Sequence, residues 1–172
     1  MVARVALTLM LIATIVAIGC ASGGTGGTPE PNDGGDTNGT GVVNPTWIDA
    51  QVEGNVASIP TGEVDSGKML HFRVTDQGTS MAFMAYRLDG ERYVRANICP
   101  PCRSEGFSLA GDILDCNNCH TKFEASTGEG ISGACKDYPK AEVAYAIVGD
   151  KVTMDINDLV NAYRNTEKAG LP

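Results

Sequence analysis

Four cysteines dominate the chemistry available to this chain: Cys99-Pro-Pro-Cys102 and Cys116-Asn-Asn-Cys119, the latter followed by His120. A Cys-x2-Cys spacing lets one tight turn aim two sulfurs at a single point, and two such turns supply a tetrahedron of soft donors. One pair is a weak signal. Two pairs joined by residues 103–115, with Gly106, Gly111 and Asp112 in the link, are a strong one. Three chemistries suit them. The first, and the leading reading, is a four-thiolate metal site on Cys99, Cys102, Cys116 and Cys119. The second is a redox-active dithiol, but the Arg-Ser-Glu-Gly-Phe run after Cys102 lacks the apolar stripe of the helix such a motif opens. The third is a set of structural disulfides, suited to an oxidising compartment although each turn alone would close a small, strained loop. Iron and zinc both accept four cysteines, and spacing does not separate zinc from a single iron or from a cluster.

The elements that must present these turns read as strands. The expected fold is mainly β: a small antiparallel domain with two Cys-x2-Cys metal-binding hairpin turns and a short C-terminal helix. Alternation predicts a strand at 69–74, with Leu70, Phe72 and Val74 on one side, and another at 80–88. Asp89-Gly90 is a tight-turn pair, and the strand at 91–97 returns from it to deliver Cys99. Gly111-Asp112 turns into Ile113-Leu114, which leads to Cys116. A last hairpin is predicted from 141–148 and 151–154 around Gly149-Asp150. Asp155 is placed to cap a helix over 156–168, with Leu159, Val160 and Tyr163 on one face and Gly170 as its stop.

Other chemistry-bearing residues are less specific. Cys135 reads as a fifth sulfur beside the ligands or as a buried free thiol, and His120 as a neighbour of a thiolate or a surface histidine. His71 alternates away from Leu70 and Phe72, which places it on the surface. Met81 and Met84 suit an apolar strand better than soft-metal ligation. Glu124 and Glu129 read as solvated. No Ser/His/Asp set, phosphate loop or paired carboxylates emerge, so no catalytic residue is assigned. An electron carrier or metal-binding protein suits the chain better than an enzyme.

Around this domain the chain looks built for export. An apolar run at residues 5–18 follows the single charge of Arg4 and ends at Ala17-Ile18-Gly19-Cys20. It is short for a membrane span and has the proportions of a signal-peptide core. The small residues before Cys20 resemble a bacterial lipoprotein's lipobox, with Ala17 in place of the usual leucine; the alternative is an uncleaved anchor. The expected division is a lipoprotein-type signal peptide at 1–19, a lipidated Cys20 with a flexible Gly/Thr/Pro/Asn linker at 20–45, and the metal-binding domain at 46–168. That puts the domain in the cell envelope, tethered by lipid to the membrane on the outer side of the cytoplasmic membrane or to an outer membrane. The net charge of −8 argues against nucleic acid and anionic head groups as partners. With Cys20 set aside, the six cysteines leave an odd number, which disulfides alone cannot use up.

From about residue 68 to 159 the sequence resembles the membrane iron–sulfur proteins called FtrD-like. The matching features are the strand leading to Cys99-x2-Cys102, the glycine-containing link, Cys116-Asn-Asn-Cys119, Lys122-Phe123, a glycine-rich turn with Cys135, and the closing hairpin. Where that family shows a Gly-Cys dipeptide, this chain has Gly133-Ala134-Cys135. The resemblance implies an iron–sulfur cluster or mononuclear iron used for one-electron transfer in iron uptake, with an iron permease or a redox protein as partner. Inside this stretch, Cys116-x2-Cys119-His120-x2-Phe123-Glu124-x2-Thr127-Gly128 is similar to the second cluster-binding loop of a Rieske domain, where a histidine holds the place of Cys119. All-thiolate ligation would make a cluster harder to reduce than a Rieske centre, towards plant-type ferredoxin values. The opening Met-Val-Ala-Arg-Val carries no twin arginine, so export of an unfolded chain is expected, followed by loading of iron or zinc outside.

Overall fold

The computed structural model describes residues 41–170, so the expected signal peptide, Cys20 and most of the expected linker lie outside the described residues. In chain order the elements are β1 (Val42–Val43), β2 (Pro45–Trp47), β3 (Gln51–Glu53), β4 (Val56–Pro60), α1 (Thr61–Asp65), β5 (Met69–Asp76), β6 (Thr79–Leu88) and β7 (Glu91–Ala96). They continue with β8 (Phe107–Ala110), β9 (Ile113–Cys116), β10 (Lys122–Glu124), β11 (Gly130–Ser132), β12 (Ala146–Val148), β13 (Lys151–Asp155) and α2 (Ile156–Thr166). Three sheets result, ordered β2-β5-β6-β7, β12-β13-β4-β3 and β1-β8-β9-β10-β11. The fold is mainly β, antiparallel apart from the β2–β5 pairing, and closes with a short helix.

The central sheet follows from the sequence period. Leu70, Phe72 and Val74 share one face of β5, and Phe83, Ala85 and Val94 continue it across β6 and β7. That face packs on Ala57, Ile59, Val152 and Met154 of the second sheet and on Ile156, Leu159 and Ala162 of α2. Each large side chain so buried stabilises the fold by about 1.5–3 kcal/mol. Asp89 and Gly90 both have positive φ, 51° and 86°, the twist a two-residue hairpin needs. The Asp155 carboxylate caps α2 by accepting from the Asn157 backbone N–H at 2.8 Å.

The opposite face of the same sheet is covered too. Met69, Met84 and Tyr86 meet Phe107, Leu114 and Phe123 of the five-stranded sheet, which leaves every residue from 81 to 86 buried. This second layer overturns the surface placement of His71. The ring is fully buried, with Trp47 edge-on at 5.1 Å, and among the described residues neither ring nitrogen has a hydrogen-bond partner. Burial, aided by the Arg73 charge, pushes the imidazole down to about 4.

Val42 and Val43, within the stretch expected as linker at 20–45, pair with Ala110 and Leu109. Of the strand expected over 141–148, only Ala146–Val148 pairs with β13. Its first part runs instead along β7, where Ala96 N–H donates to Ala141 O and Val143 N–H to Val94 O.

Candidate metal centre

Cys99 follows β7 and Cys116 ends β9, so the sheets fix the start of each Cys-x2-Cys turn. The two turns are built alike. Cys99 N–H donates to Ser104 O at 2.8 Å and Cys116 N–H to Thr121 O at 3.0 Å. The residue after each second cysteine takes the left-handed conformation, Arg103 at φ 56° and His120 at φ 53°. For residues with a Cβ this costs about 1–2 kcal/mol, and it reverses the chain so that both sulfurs of a turn face inward. Asn118 Nδ2 donates to Cys102 O, joining one turn to the other.

The four sulfurs lie within 4.8 Å of one another, with Cys99–Cys119 and Cys102–Cys116 each at 3.8 Å. A tetrahedral ion with metal–sulfur bonds of about 2.3 Å has sulfur–sulfur edges of about 3.8 Å, so the residues present fit one thiolate-bound ion. Cys99 and Cys116 are buried, whereas Cys102 and Cys119 are partly exposed. The Cys99 thiol bonds to Cys116, which lowers Cys116 well below the usual thiol range and holds Cys99 above it. Burial pushes Cys102 up. Burial also acts against a thiolate at Cys119, but hydrogen bonding with the Thr121 hydroxyl and backbone outweighs it and lowers that thiol. Protons on these sulfurs must leave as an ion enters, which makes binding weaken in acid.

Cys135 is a buried fifth sulfur, 3.7 Å from Cys119 Sγ and outside the four-sulfur group. Its N–H donates to Thr121 Oγ1, the hydroxyl that also bonds Cys119 Sγ. Gly133 makes this approach possible: at φ 108°, a Cβ there would stand 2.6 Å from Thr121 Oγ1. His120 is solvent-exposed, its Nδ1 3.3 Å from Asp115 Oδ1.

Two buried cations escaped the sequence reading, one of them beside the sulfurs. Lys140 is fully buried, and its Nζ donates to Ile98 O at 2.7 Å and lies 4.4 Å from the Phe123 ring centroid. Burial pushes this amine down to about 8, against the opposing pull of the cysteine sulfurs. Arg95 donates from Nη1 to Lys140 O at 3.0 Å and from Nε to the Tyr86 hydroxyl and Ala125 O, tying residues 125–140 to β7. Gly128 backs onto Lys140 O with no room for a Cβ. Arg95 alternates with Val94 and Ala96, a pattern that reads as a solvent-facing charge until a second layer is known. Lys140 follows Pro139 in a stretch without periodicity, and nothing local marks it.

A family model described as "Membrane iron-sulfur containing protein FtrD-like" matches residues 64–165. Among solved structures, the chain is similar to the Sphingomonas yanoikuyae B1 ferredoxin at 22% identity, covering 56% of this chain and 92% of that one with a TM-score of 0.46. A chain from the complex of reduced oxygenase and oxidized ferredoxin in carbazole 1,9a-dioxygenase matches at 19% identity, 56% and 88% coverage and a TM-score of 0.46. The ferredoxin of carbazole 1,9a-dioxygenase from Nocardioides aromaticivorans IC177 matches at 16% identity, 56% and 92% coverage and a TM-score of 0.44. The search of curated proteins gives no match. Among the described residues, no helix is long and apolar enough to cross a membrane.

Proposed function

This chain belongs to the FtrD-like family of membrane iron–sulfur containing proteins, and on that premise we propose that it carries single electrons at iron held by Cys99, Cys102, Cys116 and Cys119. The observation that carries this reading is the convergence of the four sulfurs within 4.8 Å. Iron so ligated supplies a one-electron couple. The chain's own part is to hold the sulfurs still. Two hydrogen-bonded turns fix their directions, and Phe107, Leu114 and Phe123 pack in the apolar core beside the buried pair. Contacts of 3.8 Å between pairs of sulfurs suit two cysteines on one iron, whether that iron stands alone or in a cluster.

The setting is the cell envelope, with the domain tethered through lipid on Cys20 and passing electrons to or from an iron permease or a redox protein during iron uptake. The export-type apolar run before Cys20 and the family's membrane description support this placement. The same compact tetrahedron also suits zinc, which would make the site a clamp on two hairpins rather than a redox centre.

Anaerobic purification, metal analysis, acid-labile sulfide assay and visible spectroscopy separate these readings. Iron, coloured and bleached by dithionite, is the expected result, with labile sulfide telling a cluster from a single ion. A colourless protein with one zinc would overturn electron transfer. Metal-free protein with one reactive thiol pair would make it a thiol–disulfide oxidoreductase.

A further inference from the structure

Among the described residues Lys140 has no carboxylate partner. Its ammonium makes one hydrogen bond, to Ile98 O next to Cys99, and otherwise faces the rings of Phe123 at 4.4 Å and Phe107 at 5.4 Å. One carbonyl and two ring faces return less than the hydration a fully buried ammonium gives up. Removing a buried charge that lacks a counter-ion normally stabilises a fold. The missing anion lies close by. Cys99, Cys116 and Cys135 belong to the same buried cluster as Phe107 and Phe123, and a divalent ion bound by four thiolates is left with excess negative charge. Arg95, also buried, donates to Lys140 O, and its carboxylate contact, Glu142, is exposed and 3.4 Å away.

We infer that the Lys140 ammonium is the resident counter-charge of the four-thiolate centre, present to hold an ion whose ligands outnumber its charge. The inference rests on the reading of Cys99, Cys102, Cys116 and Cys119 as a metal site, but not on iron or on electron transfer. The charge is an unpaired burden in the metal-free fold and a binding contribution in the loaded one. For a redox ion it also stabilises the more negative, reduced state over the oxidised one.

The test compares the full chain with Lys140→Met and Lys140→Gln, each metal-free and loaded with zinc. Lys140→Met should raise the melting temperature of the metal-free protein and weaken zinc binding at least tenfold, an opposite sign that a merely structural lysine would not give. Lys140→Gln, which can keep the bond to Ile98 O without charge, should weaken zinc equally. Wild-type zinc affinity in either variant would overturn the inference, as would a drop in metal-free stability for Lys140→Met that matches its drop when loaded. Where iron loads, Lys140→Met should shift the oxidised-to-reduced ratio at fixed potential at least tenfold, about 59 mV towards negative values for one electron. Failure of that arm alone, with the zinc results as expected, would count against the redox reading and leave the counter-charge standing.

Discussion

On one face of the β5–β6–β7 sheet, Leu70, Phe72, Phe83 and Val94 meet β4, β13 and α2 in an apolar cluster free of buried charge. On the other, Met84 and Tyr86 meet a lobe whose core includes Cys99, Cys116 and Cys135 and is flanked by the buried charges of Lys140 and Arg95. The first core is stabilised by area removed from water, which no single contact dominates. The second is built from strands of three or four residues, two left-handed turn residues and glycines pressed against backbone. A metal bound there would add to its order, as it would not for the first. One sheet thus serves as floor to an all-apolar core and to one built around sulfur.

The strongest way to break that contrast is to remove the metal. Chelation, or Cys116→Ser, should abolish high-affinity binding, a contribution on the order of 10 kcal/mol for a thiolate site. Hydrogen exchange should then accelerate in β8, β9 and β10 while β5 and β6 stay protected; simultaneous loss in both would show one cooperative unit. Truncation on the other side should act differently. Phe83→Ala, which removes a ring 5.7 Å from Phe72, should cost about 4 kcal/mol in denaturant melts. Metal stoichiometry in the folded fraction should be unchanged.

His71 lies on the floor between the two regions, and it sharpens the contrast through pH. Its folded-state value of about 4 lies below the unfolded value of 6.5, so the unfolded chain takes up the proton first as the solution acidifies. Stability should therefore fall by about 3 kcal/mol between pH 6.5 and 4, and change no further from this group below that window. Melts of wild type and His71→Leu across the window isolate it, since the variant should lose this acid limb; parallel curves would count against the assignment. The smallest effect is expected from Gly133→Ala. A left-handed alanine crowding Thr121 should cost about 2 kcal/mol, read as weaker zinc binding with unaltered exchange in β5.

What the sequence disclosed follows a physical line. The cysteine quartet, the Asp89-Gly90 turn, the β5 alternation and the Asp155 cap depend on residues a few positions apart, and local chemistry was enough to read them. His71 and Lys140 depend on which sheet comes to lie on which. Alternation told that His71 faces away from Leu70 but not that a second layer covers that side. The pairing of Val42 and Val43 with β8 is likewise a contact across most of the domain, which two valines in a glycine-rich stretch do not announce.

The first cysteine of each turn is buried and the second partly exposed. For an electron carrier this makes the centre a conductor insulated on one side, with a terminal on the other. Tunnelling falls off steeply with distance, so traffic has a preferred direction set by the backbone rather than by the metal. A partner docked over Cys102 and Cys119 would exchange electrons quickly. One that docks on the β12-β13-β4-β3 sheet meets two layers of hydrocarbon and stays electrically silent.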